Sequence, residues 1–209
     1  MKYLHEILVN NHHDNKNSPK DINPMKIKLM TFIVIMFVSL SSKGQEVLTF
    51  TDVVKIDSIS KNELYNRAKL WFATTFNSLK DVLQIEDKDA GQLVGNSLFK
   101  YTPTVFNANA RIVGNIKLTI KIFVKDGRYK YEFTNFIHES KSNSEYGGLD
   151  FGLITTDKTC PNPKKNMFSG WNDKVWLDIK NQIEINTTHL IESLKKGMLI
   201  QSEAVISDW

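Results

Sequence analysis

Residues 114–140, GNIKLTIKIFVKDGRYKYEFTNFIHES, decide the fold. Apolar and polar residues alternate on both sides of Asp126-Gly127, a dipeptide typical of two-residue turns between antiparallel strands. A turn at this position predicts a hairpin in which the numbers of opposite residues sum to 253. One face of this hairpin is apolar and the other is polar, so we expect the first to face a core and the second to face water. Apart from Lys125 opposite Arg128, the pairs on the polar face suit a solvated surface.

The same register places two aromatic residues on the polar face. Phe123 lies opposite Lys130 and Phe136 lies opposite Lys117, with Lys121 on the same side. Aromatic side chains surrounded by charge are typical of a surface that binds a partner. We therefore take Lys121, Phe123, Lys130 and Phe136 as the candidate binding residues. The alternative is that a long loop or a second copy of the chain covers them.

Patterns outside the hairpin predict the remaining elements. Residues 46–57 are β-branched and aromatic and predict a strand, while Ser60 and Glu63 form a capping box ahead of an amphipathic helix. Residues 81–101 predict a second hairpin, and residues 171–198 a long amphipathic helix. The order strand, helix, four strands, helix predicts an α+β fold: an antiparallel five-stranded sheet with both helices packed on one face. Strands two to five form a meander, and the first strand lies beside the fifth.

A long stretch without periodicity separates the last strand from the last helix. Residues 139–170 are rich in Gly, Asn, Ser, Pro and Lys and predict a long loop, with residues 152–156 as the candidate for a short strand. Long loops within compact domains are usually functional or disordered. We expect a single domain over residues 45–209, with this loop as a lid or rim of the open sheet face.

The beginning of the chain has the pattern of a secretory signal peptide. Lys26 and Lys28 precede 12 uncharged, mostly apolar residues, 29–40, and small residues follow as far as Gly44. Because a bilayer-spanning helix needs about 20 residues, we expect no stable membrane span. Cleavage near Gly44 would deliver the protein to the periplasm or the extracellular space. Residues 1–24 have little to bury and indicate either a non-native extension before a start at Met25 or a disordered tail.

Charge argues against nucleic acid as the partner. The chain has 27 basic and 23 acidic residues and a net charge of +4, but residues 1–44 hold six lysines and three acids. Removing them leaves 21 basic and 20 acidic residues, a net charge of +1. Proteins that bind nucleic acid normally carry a marked basic excess, because they neutralise many phosphates.

No set of residues in the sequence requires a particular chemistry. A cysteine-dependent envelope hydrolase would need His138 or His189 to hold Cys160 as the thiolate, and no motif brings them together. His138 is predicted at the water-facing end of the fifth strand. The sequence contains no zinc-binding, nucleophile-elbow or phosphate-binding motif. We expect no enzymatic activity, no cofactor and no metal ion.

Several segments together resemble a known family. They are VVKIDSISKNELYNRAKLWFATTFNSLKDVLQIEDKDAGQLVGNSLFKY at residues 53–101, WNDKVWLDIKNQI at 171–183 and LIESLKKGM at 190–198. They resemble exported proteins of Gram-negative bacteria that form a family of unknown function with a fold like that of the TATA-binding protein. The resemblance implies the order of strands and helices derived above, and it implies no activity.

These observations predict an exported cell-envelope domain that binds an unknown envelope protein or ligand without catalysis. A structural homodimer formed through the sheet face is the alternative, and the cysteine-dependent hydrolase is a further one.

Overall fold

The structure is a computed structural model. It describes residues 45–76, 78–106, 108, 110–141, 147–164, 168 and 170–201. The predicted signal peptide, its last residue Gly44 and the extension 1–24 lie outside the described residues.

The described residues form one sheet with helices on one of its faces. The strands are β1 Phe50–Lys55, β2 Leu83–Asp87, β3 Gln92–Tyr101, β4 Gly114–Lys125, β5 Arg128–Ser140 and β6 Gly152–Leu153. The helices are α1 Lys61–Thr75, the short α2 Leu79–Val82 and α3 Trp171–Leu199, with a 3-10 helix at Ala110–Ile112. The strand order is β1-β5-β4-β3-β2, all pairs are antiparallel, and β6 pairs with β5 beyond the end of β1. The predicted α+β fold is confirmed, including the meander and the position of the first strand.

The central hairpin keeps its predicted register only in part. From the turn to Thr119 opposite Thr134, β4 and β5 pair as predicted, and beyond that point Lys117 lies opposite Ile137. Asn135 is the extra residue on β5, and its φ of +55° is in the left-handed region. Asparagine is one of the few residues other than glycine that adopt this conformation readily. The result is a β-bulge, which moves every later side chain of β5 to the opposite face.

The bulge overturns two predictions. Phe136 is fully buried rather than on the open face, and its ring meets that of Phe50 edge to face, with centroids 5.8 Å apart. His138 is also fully buried, not water-facing. Ile137 instead takes a half-exposed position on the open side. The predicted register assumed that neither strand contains an extra residue between the turn and its far end.

Helices α1 and α3 cover the face that carries the core. Ser60 caps α1 by accepting a hydrogen bond from the backbone N–H of Glu63. Gly95 lets α1 approach the sheet closely, because a Cβ there would lie 2.7 Å from the ring of Phe72. Fully buried core residues include Leu64, Phe72, Ile116, Ile120, Phe133, Val175, Trp176 and Ile179. Among the described helices, none is long and apolar enough to cross a membrane.

Part of the predicted loop is built into the sheet. The short strand expected within residues 152–156 is β6, and the N–H of Ile154 donates to the carbonyl of Phe136 at 2.8 Å. Thr155 forms a bridge with Val47, and Ile154 is fully buried. Residues 147–164 therefore close the core beside β5, and Leu153 forms a rim of the open sheet face.

Candidate binding face

The sheet face opposite α1 and α3, which we call the open face, carries every second residue of each strand. Its side chains align in rows across β1, β5 and β4, because the registers of neighbouring ladders continue from strand to strand. Three rows lie next to the hairpin turn: Lys55–Arg128–Lys125, Val53–Lys130–Phe123 and Thr51–Glu132–Lys121.

Side chains of the first two rows, although not Lys55, line a shallow pocket beside the turn. Its volume is about 440 Å³, and its lining includes Val53, Phe123, Lys125, Arg128 and Lys130. Val53 is 52% exposed. The residues that we call the hairpin-end patch are Val53, Lys55, Phe123, Lys125, Arg128 and Lys130.

The structure places three of the four predicted binding residues on the open face. Lys121, Phe123 and Lys130 lie there in adjacent rows, whereas Phe136 is in the core. The predicted residues therefore cluster at the hairpin end and do not span the face. Whether they bind a partner stays a prediction.

Glu132 holds two of these lysines in place. Lys130 Nζ lies 2.6 Å from one carboxylate oxygen of Glu132, and Lys121 Nζ lies 3.6 Å from the other. The hydrogen bond from Lys130 lowers the pKa of Glu132, although partial burial acts in the opposite direction. Glu132 thus stays ionised at neutral pH and forms ion pairs with both ammonium groups.

The row beside the turn, which we call the basic row, has no acidic side chain paired with it in this way among the residues that the structure describes. Lys55, Arg128 and Lys125 are exposed, and none of the ion pairs formed by described residues includes them. The open face as a whole has a basic excess. Its basic residues are Lys55, Lys100, Lys117, Lys121, Lys125, Arg128 and Lys130, and its acidic residues on the strands are Asp87, Glu132 and Glu139.

A larger groove crosses the opposite end of the open face, beyond the bulge. It has a volume of about 850 Å³. Leu98, Lys117, Ile137 and Leu153 form one continuous row along it, and Val82 also lines the groove. We call this row the bulge-end row. It exists because Asn135 turns Ile137 outward.

Sequence reasoning missed the bulge-end row and the third member of the basic row, Lys55. A signal for the first was Asn135 itself, since asparagine is depleted in strands and accepts a positive φ. The signal for the second was Lys125 opposite Arg128, which Lys55 extends once β1 is placed beside β5.

The structure does not form the pair that a cysteine hydrolase would need. Cys160 is buried, and burial raises the pKa of its thiol. Both ring nitrogens of His138 are within hydrogen-bond distance of backbone groups, Ile112 and Phe151. His189 is exposed on α3, beside Trp71. Within the described part of the chain, no hydrogen bond joins Cys160 to either histidine, and no cluster of three or more His, Cys, Asp or Glu is placed to hold a metal ion.

Comparison with known proteins agrees with this architecture. Residues 50–139, from β1 to nearly the end of β5, match DUF4468, a domain of unknown function with a TBP-like fold. This segment, which is less than half of the chain, is therefore similar to the DUF4468 family. The matched residues include all of the hairpin-end patch. Because the family has no known function, the match assigns no activity to the patch.

Two solved structures are similar to the chain. A TBP-like protein from Parabacteroides distasonis has a TM-score of 0.50 and 14% identity, over 71% of this chain and 93% of that one. A DUF4468 family protein from Bacteroides ovatus has a TM-score of 0.45 and 11% identity, over 71% and 86% of the two chains. At such identities the first likeness shows the fold alone. No curated protein matches the sequence.

Proposed function

We propose that this protein is an exported, non-enzymatic binding module of the cell envelope that holds its partner on the open face. The observation that carries the proposal is the division of the sheet into two unlike faces. Two helices bury one face, whereas Val53, Leu98 and Leu153 on the other are 52%, 53% and 43% exposed. Exposed apolar side chains gathered on one basic surface are typical of interaction sites.

Export is the part of the proposal that rests on residues 25–44. Their basic, apolar and small-residue order supports a signal peptide, and Gln45 would begin the mature chain. N-terminal sequencing of the protein from fractionated cells, expressed from the full reading frame, tests this directly. A product beginning at Gln45 in the periplasm or medium supports it, and a cytosolic product that keeps residues 1–44 contradicts it.

Photo-crosslinking in intact cells tests the use of the open face. A photoreactive phenylalanine analogue replaces Leu98 or Phe123 on the open face, or Ile185 on α3 as a control. Leu98 and Ile185 are matched, because both are apolar and they are 53% and 57% exposed. We expect a discrete adduct from the two open-face positions and none from Ile185. Equal labelling at all three positions would mean that this face has no special role.

The mass of the adduct separates the two candidate assemblies. An adduct with twice the mass of the chain indicates the structural homodimer, whereas any other discrete mass indicates a different partner. The basic excess of the open face opposes the homodimer, because two copies placed face to face would bring like charges together.

A further inference from the structure

The basic row of the hairpin-end patch specifies one property of the partner. Lys55, Arg128 and Lys125 lie directly opposite one another on three adjacent strands, all exposed. Like charges in directly opposite positions destabilise a sheet. An anionic group above this row would interact favourably with three cations and relieve their mutual repulsion. The row therefore favours an acidic partner.

The next row specifies a second property. Val53 and Phe123 lie on either side of Lys130, whose ammonium group is engaged with Glu132 at 2.6 Å. The pocket of about 440 Å³ lies between these side chains and the basic row. Filling it with an apolar group removes the exposed surface of Val53 from water. The partner therefore needs an apolar group beside its anionic group.

The distance between the rows specifies how these two groups are spaced. Neighbouring rows are two residues apart along each strand, which corresponds to about 6.6–6.8 Å. Side chains on one side of an extended peptide repeat at the same interval. An extended segment that follows the strand direction would therefore place an acidic residue over the basic row and an apolar residue two positions away over Phe123.

We propose that the hairpin-end patch binds an extended segment of a partner protein in which acidic and apolar residues alternate two positions apart. This inference rests on the proposed use of the open face. Nucleic acid fits less well, because single strands stack on several aromatic side chains. Phe123 is the one aromatic residue that the described strands place on this face. A second copy fits less well because its open face is also basic.

Two synthetic peptides of equal composition test the spacing. One repeats Glu-Ser-Leu-Ser and the other repeats Glu-Leu-Ser-Ser, and both carry fluorescein for anisotropy measurements with the full-length chain. We expect the first to bind about fivefold or more tightly than the second, a difference on the scale of one well-placed apolar side chain. Added salt should weaken its binding, because exposed charges are screened. Equal affinity of the two peptides would overturn the spacing.

Charge reversal tests the location. Arg128→Glu and Phe123→Ser should each weaken the Glu-Ser-Leu-Ser peptide about tenfold. Lys100→Glu is the matched control, since it makes the same charge change on the same face at the far end of β3. It should change the affinity less than twofold, because the charge lies outside the patch. Equal losses in Arg128→Glu and Lys100→Glu would overturn the assignment to the patch.

Related measurements test the alternative partners. Tighter binding of duplex DNA than of the Glu-Ser-Leu-Ser peptide would show that the partner is nucleic acid and not an acidic segment. A doubled mass in light scattering that Arg128→Glu abolishes would show that the patch binds a second copy of the chain. If photo-adducts form at Phe123 but neither peptide binds, the open face keeps its proposed role and only the acidic segment fails. If adducts at Phe123 are also absent, the proposed function fails too.

Discussion

Nδ1 of His138 accepts a hydrogen bond of 3.1 Å from the backbone N–H of Phe151, at a position with no exposure to solvent. Because Nδ1 is the acceptor, the proton of the neutral ring lies on Nε2, which donates to the carbonyl of Ile112 at 2.9 Å. The ring thereby joins β5 to the 3-10 helix and to the segment that leads into β6. These contacts require the neutral imidazole.

The fold should lose stability below neutral pH through His138. Burial lowers the pKa of the ring and outweighs the opposing contributions of the Ile112 carbonyl, Asp150 and Glu139, while Lys164 lowers it further. The unfolded chain therefore binds a proton at a higher pH than the folded one does. The stabilisation is complete above about pH 6.5 and is lost as the pH falls through the folded-state pKa. Urea unfolding between pH 7 and pH 5 measures the loss.

Two histidine substitutions separate this effect from general acid sensitivity. His138→Gln should be less stable at pH 7 but should show a flatter dependence on pH, because it has no ring to protonate. His189→Gln should keep the wild-type dependence, since His189 is exposed on α3. A wild-type pH profile in His138→Gln would show that His138 is not the source.

The carboxylate of Asp178 is the main polar connection between α3 and the segment after β3. It is buried and accepts hydrogen bonds from the hydroxyl of Tyr101 at 2.7 Å, from the backbone and hydroxyl of Thr104, and from Gln182. Asp178→Ala leaves the buried hydroxyl of Tyr101 and the two donors of Thr104 without their acceptor and should cost about 2–3 kcal/mol of unfolding free energy. Glu184→Ala, on the exposed side of the same helix, should stay within about 0.5 kcal/mol.

A double-mutant cycle measures how much of that cost belongs to Tyr101. Tyr101→Phe alone should cost about 1–2 kcal/mol, and the two changes together should cost less than their sum by about 1 kcal/mol. Strict additivity would mean that the hydroxyl and the carboxylate are not coupled in solution.

Asn135 should be the residue on which the register of β5 depends. Asn135→Gly should leave stability within about 0.5 kcal/mol, whereas Asn135→Val should cost about 1–2 kcal/mol because a β-branched residue at φ +55° is strained. Asn96→Val is a control on the same face and should cost little, since Asn96 has no positive φ. Deleting Asn135 would turn Phe136 and His138 outward, and we expect it to abolish cooperative unfolding in urea.

Local rules were sufficient for most of the fold and failed at one residue. The Asp126-Gly127 turn, the Ser60 cap and the alternation of β4 each depend on contacts between near neighbours, so the sequence predicts them. The bulge at Asn135 depends on whether a bulged or a regular β5 buries more side-chain surface. The bulge places Phe136 and His138 in the core. That balance involves Phe50, Ile112 and Phe151, which are distant in sequence. The open face changed with it, losing Phe136 and gaining Ile137.

The basic row illustrates a different limit. A hairpin fixes Lys125 opposite Arg128, but the third cation, Lys55, joins them only through the pairing of β1 with β5. Strand order can be inferred from the lengths and handedness of connections. No turn connects β1 directly to β5, so the sequence does not fix their register. It therefore does not predict that Lys55 lies opposite Arg128.

Cys160 should behave as a structural thiol. It is buried, and burial raises the pKa of its thiol above the ordinary value, although the nearby Lys164 and a backbone hydrogen bond act in the opposite direction. Reactive cysteines are exposed thiolates, so alkylation by iodoacetamide at neutral pH should be slow in the folded protein. Urea above the unfolding midpoint should raise the rate to that of a free thiol. Rapid labelling of the folded chain that His138→Gln or His189→Gln slows would instead favour the cysteine hydrolase, since only an activated thiolate depends on a neighbouring base.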